Sequence, residues 1–193
     1  MRKIILVRHG ETQWSLSRRH TGRTDLPLTP AGEDQARGLR EQLLPLACPN
    51  VWSSPLKRAF STCEAAGLSE NAHVFEDLME WDYGVFDGRT TAEIVNERPG
   101  WNVWDATEGL GETVQEVGRR ADTVISRILE TDGDIMMFSH AHFLRILGAR
   151  WVGLEAIYGR HWTLEPASIS VLSYERQTPT IALWNWVPHG VVR

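Results

Sequence analysis

Three short polar segments could act together, because each of them follows a short apolar run. The segments are residues 8–10 (Arg-His-Gly), 54–58 (Ser-Pro-Leu-Lys-Arg) and 139–142 (Ser-His-Ala-His). They supply arginine side chains, histidine side chains and candidate helix N termini. Guanidinium groups and the N–H groups at a helix N terminus both bind phosphate oxygens. Together, the three segments predict a pocket for a phosphate dianion.

None of these residues would indicate a site alone. A single histidine after a strand is most often a buried core residue, and a single arginine on a helix is most often exposed. Arg8 is more informative, because a guanidinium is costly to bury without an anion, and Gly10 allows a close backbone approach. His140 and His142 could form a metal pair. No cysteine or aspartate cluster accompanies them, so we expect no metal site.

Strands and helices alternate along the chain. Apolar or alternating runs predict strands at residues 3–8, 51–52, near 74, 135–138, 168–175 and 180–187. Helices are predicted from Pro30 to before Pro45 (about four turns), from Ser54-Pro55 to Gly67, over residues 112–130, and after residue 139. The aromatic, acidic segment 80–88 is predicted to be a loop outside the core.

This alternation predicts the α/β class, with a mostly parallel central sheet covered by helices on both faces, as in a three-layer α/β/α sandwich. Ligands in such sheets bind beyond the carboxyl ends of the strands. The three polar segments would follow three strands and would therefore meet at that edge.

Composition narrows the class of protein. The chain has 193 residues, 42% of them hydrophobic, which predicts one globular domain over residues 1–193. A formal net charge of -5 argues against a nucleic-acid partner, and no apolar run is long enough to span a membrane. The two cysteines, Cys48 and Cys63, provide no disulfide framework, which favours a reduced, cytoplasmic protein.

Four motifs in order resemble the histidine phosphatase superfamily. They are LVRHGET at residues 6–12, SSPLKRA at 53–59, EWDYGVFDG at 80–88 and SHAHFLR at 139–145. The resemblance spans nearly the whole chain and implies the phosphoglycerate mutase-like fold of branch 1 of the superfamily. It is strongest to the sedoheptulose-1,7-bisphosphatase-like and phosphoglycerate mutase-like acid phosphatases.

The resemblance also implies roles for individual residues. His9 would be the nucleophile that receives the phosphoryl group, and Glu80 would donate a proton to the leaving oxygen. Three side chains would form the phosphate clamp: Arg8, Arg58 and His140. Six further residues would bind the substrate: Gly10, Ser15, Thr21, Gly22, Tyr83 and Ala141. No metal or organic cofactor is implied.

Elementary chemistry favours the same residue types. Phosphoryl transfer spreads charge over three oxygens, so fixed cationic donors stabilise it, and a neutral imidazole is a competent nucleophile. A carboxylic acid can protonate the leaving alkoxide only if burial or the incoming dianion favours its neutral form. The aromatic neighbours of Glu80 suit this role. Three other carboxylates remain alternatives: Glu76, Asp77 and Asp82.

Two positions depart from the pattern of many relatives. Ser15 stands where relatives have asparagine and reaches less far, which weakens the case for a direct phosphate contact. Ala141 replaces a glycine but still offers its backbone N–H.

Several functions remain open. The first is a phosphatase that acts on a small phosphate ester, such as a sugar phosphate or bisphosphate. A bisphosphoglycerate-dependent mutase is the alternative, although residues 88–111 are short for a segment that must exclude water. A non-catalytic phospho-ligand binding domain and a metallohydrolase are further hypotheses. A second phosphate could contact Arg18, Arg19, His20 or Arg23. No membrane partner is expected, and the oligomeric state stays open.

Overall fold

The computed structural model describes residues 2–188. The six strands within these residues lie in one sheet: β1 (Ile4–Arg8), β2 (Asn50–Ser53), β3 (Ala72–Val74), β4 (Ile135–Ser139), β5 (Ile169–Glu175) and β6 (Thr178–Trp186). The α-helices are α1 (Gln13–Leu16), α2 (Pro30–Gly38), α3 (Arg40–Leu43), α4 (Lys57–Ala65), α5 (Thr91–Glu97), α6 (Val114–Glu130) and α7 (Ala141–Trp151). The strand order is β3-β2-β4-β1-β5-β6. The first four strands of this order are parallel, and β5 and β6 are antiparallel additions.

Successive side chains of β1 pack into two different hydrophobic clusters, one on each face of the sheet. Ile4 and Leu6 pack in a cluster with α6 and α7, whereas Ile5 and Val7 pack in a cluster with side chains of α3 and α4. This is the period-two alternation of a strand that is buried on both faces. The predicted α/β class and its three layers with a mostly parallel sheet are confirmed.

The strand order explains why the three polar segments meet. β4 lies between β1 and β2, and Arg8 is in register with Ser139. The His9 N–H donates to the Ser139 carbonyl (3.0 Å), and the Ser54 N–H donates to the Phe138 carbonyl (3.0 Å). The carboxyl ends of the three central strands are therefore tied to one another where the polar turns begin.

Two predicted helices differ from the observed ones. The helix from Pro30 is divided at Leu39, after the weak helix former Gly38, and continues through Pro45 as a 3-10 turn, Leu44–Leu46. Pro45 is accommodated at the start of that turn, where no intrahelical N–H is needed. Ser54 is not the N-cap of α4, because the cap position belongs to Leu56.

The prediction that the segment 80–88 lies outside the core is wrong. Trp81, Tyr83 and Phe86 are fully buried and pack with α6 and α7. Burial is possible because the polar atoms have partners: the Trp81 Nε1–H donates to the Glu112 carbonyl at 2.7 Å. The loop therefore forms part of the wall beneath the polar turns.

Candidate active site

His9 lies at the end of β1 in a neutral form with a defined tautomer. Its Nδ1 lies 2.7 Å from the Gly10 carbonyl, which can only accept, so the proton is on Nδ1. Burial lowers the pKa of His9 well below 6.5, and the charges of Arg58 and Arg8 lower it further. The lone pair of Nε2 is consequently available near neutral pH.

Arg8 carries a buried donor that lacks an acceptor. Its Nη1 donates to the Leu164 carbonyl, whereas its Nε is buried without a hydrogen-bond partner in the described part of the chain. Burial lowers the pKa of Arg8 to about 10, so the guanidinium still carries its charge at neutral pH. A buried cation with an unused N–H favours an anionic ligand beside His9.

Arg58 and His140 form a hydrogen-bonded layer behind His9. The Arg58 Nε–H donates to His140 Nδ1 (3.1 Å), so the neutral His140 ring carries its proton on Nε2, which lies 2.8 Å from the Ser54 hydroxyl. Burial lowers the pKa of His140 well below 6.5, and Arg58 adds to this effect. The ring centroids of His9 and His140 are 5.2 Å apart. The other Arg58 donors bind the carbonyls of residues 21, 22 and 24.

Glu80 is held at the N terminus of α7. Its Oε1 accepts hydrogen bonds from the N–H groups of Trp81 and Phe143 (2.9 Å each), and Oε2 accepts one from the His142 N–H (3.1 Å). The side chain is buried and lines the same cavity as His9. None of the three alternative carboxylates lines this cavity: Glu76, Asp77 and Asp82.

The cavity has a volume of about 200 Å³. Seven of its lining residues are among the predicted site residues: Arg8, His9, Ser15, Thr21, Glu80, Tyr83 and Ala141. Four predicted residues do not line it: Gly10, Gly22, Arg58 and His140. The site is thus built in two shells, with Arg58 and His140 supporting the groups that face the cavity.

Two of the predicted substrate-binding residues, Ser15 and Gly22, have structural contacts of their own. The Ser15 hydroxyl accepts from the Thr12 N–H (2.9 Å) and donates to the Thr12 carbonyl (3.0 Å), as part of the N-cap of α1. Ser15 therefore lines the cavity with its hydroxyl already engaged. A Cβ on Gly22 would lie 2.8 Å from the Trp81 carbonyl oxygen, so this glycine is required for close packing.

The sequence-based prediction missed His142, which lines the cavity beside Ala141. Arg18, Arg19 and His20 also line it, as the second-phosphate hypothesis expected, but Arg23 does not. Arg23 instead forms an ion pair with Glu112 (3.2 Å). The only sequence signal for His142 was the pair of histidines at 140 and 142.

No group of three or more histidine, cysteine, aspartate or glutamate side chains within residues 2–188 is arranged to hold a metal ion. Over the same residues, no helix has the length and apolar character needed to cross a bilayer.

Comparison with known proteins identifies the family. Residues 4–187 match the model of the histidine phosphatase superfamily (branch 1). The chain is 38% identical to an acid phosphatase of Mycobacterium tuberculosis over 97% of this chain and 94% of that protein. It is 37% identical to a sedoheptulose 1,7-bisphosphatase of Saccharomyces cerevisiae, over 91% of this chain and 76% of the yeast protein.

Two further similarities bear on function and fold. The chain is 33% identical to a probable phosphoglycerate mutase of Klebsiella pneumoniae over 97% of this chain and 91% of that protein. A solved structure of an open reading frame from Mycobacterium tuberculosis superposes with a TM-score of 0.91 at 37% identity, covering 96% and 98% of the two chains. The predicted fold and enzyme class are confirmed, and the chain belongs to branch 1 of the histidine phosphatase superfamily.

Proposed function

We propose that this protein hydrolyses a small phosphate ester, a sugar phosphate or bisphosphate, through a phosphohistidine on His9. One observation carries the proposal. A neutral imidazole with its proton fixed on Nδ1 lies in a small cavity beside a buried guanidinium that has an unused N–H. This pairs a nucleophile with an anion site, as phosphoryl transfer requires.

In the first step, His9 Nε2 attacks phosphorus and the bond from phosphorus to the ester oxygen breaks. The departing alkoxide takes a proton from Glu80. Arg8 and the positive end of α7 stabilise the phosphoryl oxygens. Hydrogen bonds already engage the N–H groups of residues 142, 143 and 144, so Ala141 at the cavity offers the remaining N–H of the first turn.

In the second step, water replaces the leaving group and attacks phosphorus on the side opposite His9. Glu80, now ionised, accepts the proton from that water. The bond between phosphorus and Nε2 breaks, and inorganic phosphate leaves. The neutral state of His9 favours this step as well as the first one, because the regenerated imidazole needs no further proton transfer.

A compact leaving group is supported by the size of the cavity. About 200 Å³ accommodates a phosphate and a few carbon atoms, while Arg18 and Arg19 lie at its rim. The relative named as a sedoheptulose bisphosphatase supports a sugar bisphosphate. The relative named as a probable mutase supports the alternative, in which the phosphoryl group returns to the substrate.

Labelling tests the proposal directly. The protein is mixed with 32P-labelled sugar phosphate and quenched, and we expect acid-labile, base-stable label on His9. His9→Ala should lose the label and the release of phosphate. His73→Ala is the matched control, because His73 is an exposed histidine outside the cavity.

A panel of substrates then separates the hydrolase from the mutase. Release of inorganic phosphate from sugar mono- and bisphosphates is expected. Conversion of 3-phosphoglycerate to 2-phosphoglycerate without release would establish the mutase instead. If the wild-type protein neither takes up label nor turns over any ester, both the hydrolase and the mutase are contradicted. The hypothesis of a non-catalytic phospho-ligand binding domain would then remain.

A further inference from the structure

Tyr83 and His142 share one hydrogen bond in the wall of the cavity. The Tyr83 hydroxyl oxygen lies 2.5 Å from His142 Nδ1. Burial raises the pKa of Tyr83 well above 10, and the charge of Glu80 raises it further, so the phenol keeps its proton. Burial lowers the pKa of His142 well below 6.5, as do Arg145 and His20, so the imidazole is neutral. The pair therefore carries no net charge.

The pair has one proton that is not used in its own hydrogen bond. A phenol and a neutral imidazole hold one O–H and one N–H between them, and one of the two is used in their mutual hydrogen bond. A phenol is the better donor and an unprotonated imidazole nitrogen the better acceptor, so the Tyr83 hydroxyl donates to Nδ1 and the imidazole proton is on Nε2. No described residue accepts from Nε2, and His142 lines the cavity.

The ring of His142 is held in place from several sides. Trp104 packs edge-on at 5.2 Å and Trp81 at 6.0 Å between ring centroids. The backbone N–H of His142 donates to Oε2 of Glu80, which places the ring next to the proposed proton donor. Because Glu80 is the proposed proton donor to the leaving oxygen, a donor fixed beside it would face the leaving group of the ester rather than its phosphate.

We propose that the Nε2–H of His142 donates a hydrogen bond to a hydroxyl oxygen of the leaving group, so that esters of polyols react faster than esters of simple alcohols. This inference rests on the proposed function and specifies its substrate class. A neutral donor suits a hydroxyl group, and a site that is built around such a bond discriminates against analogues that lack the hydroxyl.

Two esters that differ only in hydroxyl groups test this role. Values of kcat/KM are measured for glycerol 3-phosphate and n-propyl phosphate, with p-nitrophenyl phosphate as a third substrate. We expect wild type to prefer glycerol 3-phosphate over propyl phosphate by about tenfold or more, and His142→Leu to lose about tenfold of that preference. His142→Gln should retain part of it, because its amide can still donate.

Tyr83→Phe and His73→Ala complete the design. Tyr83→Phe leaves His142 free to move its proton to Nδ1, so the preference should fall by less than in His142→Leu. His73→Ala, at an exposed histidine, should leave the preference unchanged. These comparisons use ratios of two substrates, which a general loss of folded protein does not alter. If His142→Leu does not fold, the preferences of His142→Gln and Tyr83→Phe for glycerol 3-phosphate over propyl phosphate still show which group donates the hydrogen bond.

Three results would overturn the inference. The first is equal rates for glycerol and propyl esters in a wild-type protein that hydrolyses p-nitrophenyl phosphate. The second is an unchanged preference in His142→Leu, and the third is a larger loss in Tyr83→Phe, which would make the tyrosine the donor. No hydrolysis of any of the three esters by wild type would instead contradict the proposed phosphatase, and the inference with it.

Discussion

The arginines after His9 differ in what their guanidinium groups contact. Arg18 is exposed at the cavity with a φ of +56°, and its guanidinium has no hydrogen-bond or ion-pair partner within residues 2–188. Arg19 lines the cavity but donates to the Gly88 carbonyl (2.7 Å) and pairs with Glu93 (3.1 Å). Arg23 is occupied by Glu112 and lies outside. Arg18 is thus the guanidinium best placed to bind a second phosphate.

We expect Arg18→Ala to raise KM for a sugar bisphosphate by about tenfold and KM for the matching monophosphate by much less, since one exposed charge contact is lost. Arg19→Ala should act in the same direction with a smaller effect. Arg23→Ala is the matched control and should affect both substrates alike. Steady-state kinetics at constant ionic strength measure the ratio, and equal effects of Arg18→Ala on both substrates would count against a distal phosphate contact.

Only some of the site residues could be predicted from the sequence around them. Arg8 and His9 could be selected locally, because a polar arginine–histidine pair directly after an apolar run is unusual. Glu80 could not be separated from Glu76, Asp77 and Asp82 by local pattern, and only the family motif selected it. His142 was missed because its role depends on Tyr83, 59 residues away in the chain.

At the scale of elements, α2 fixes the turn that carries His9. The Glu11 carbonyl accepts from the Thr29 N–H (2.9 Å) at the N-cap of α2, and the Glu11 N–H donates to the Gln35 side chain (2.9 Å). A Cβ on Gly10 would lie 2.4 Å from the Gly32 carbonyl oxygen. The turn and the helix therefore pack backbone against backbone.

Gly10→Ala should consequently destabilise the protein by about 2–3 kcal/mol and reduce labelling of His9, because a backbone oxygen cannot swing away from the added methyl group. Urea unfolding measures the change. Gly100→Ala is the control: its Cβ would meet open space, and only its left-handed φ of +82° adds a cost of about 1 kcal/mol. Equal destabilisation of the two variants would show that the close contact is tolerated.

Element order was more predictable than element packing. The strands β1, β2 and β4 and the helices α2, α4 and α7 were expected from the sequence patterns, and the observed elements confirm them. The short helix α1 was expected to be loop. The burial of Trp81 and Tyr83 was not expected, since the segment 80–88 has the composition of a loop. Its aromatic rings are buried because α6 and α7 cover them and because distant groups satisfy their polar atoms.

At the scale of the whole molecule, the chain buries several imidazoles in neutral form. Burial is the largest cause that lowers the pKa of His9, His140 and His142 well below 6.5, with nearby arginines adding to it. In the unfolded chain the same groups titrate near pH 6.5. Below that pH the unfolded state binds protons that the folded state does not, so acid shifts the equilibrium toward unfolding.

We therefore expect the free energy of unfolding to be nearly constant above about pH 7.5 and to fall between pH 6.5 and 5.5, by up to about 1.4 kcal/mol per pH unit for each neutral buried histidine. Urea unfolding at pH 7.5, 6.5 and 5.5 measures this slope. His9→Gln removes one of these histidines and should reduce the slope by the contribution of one neutral buried histidine. His73→Ala, at an exposed position, should leave the slope unchanged. A slope that is the same in wild type and His9→Gln would mean that His9 accepts a proton in the folded protein. The neutral nucleophile on which the proposed phosphoryl transfer depends would then be absent at acid pH.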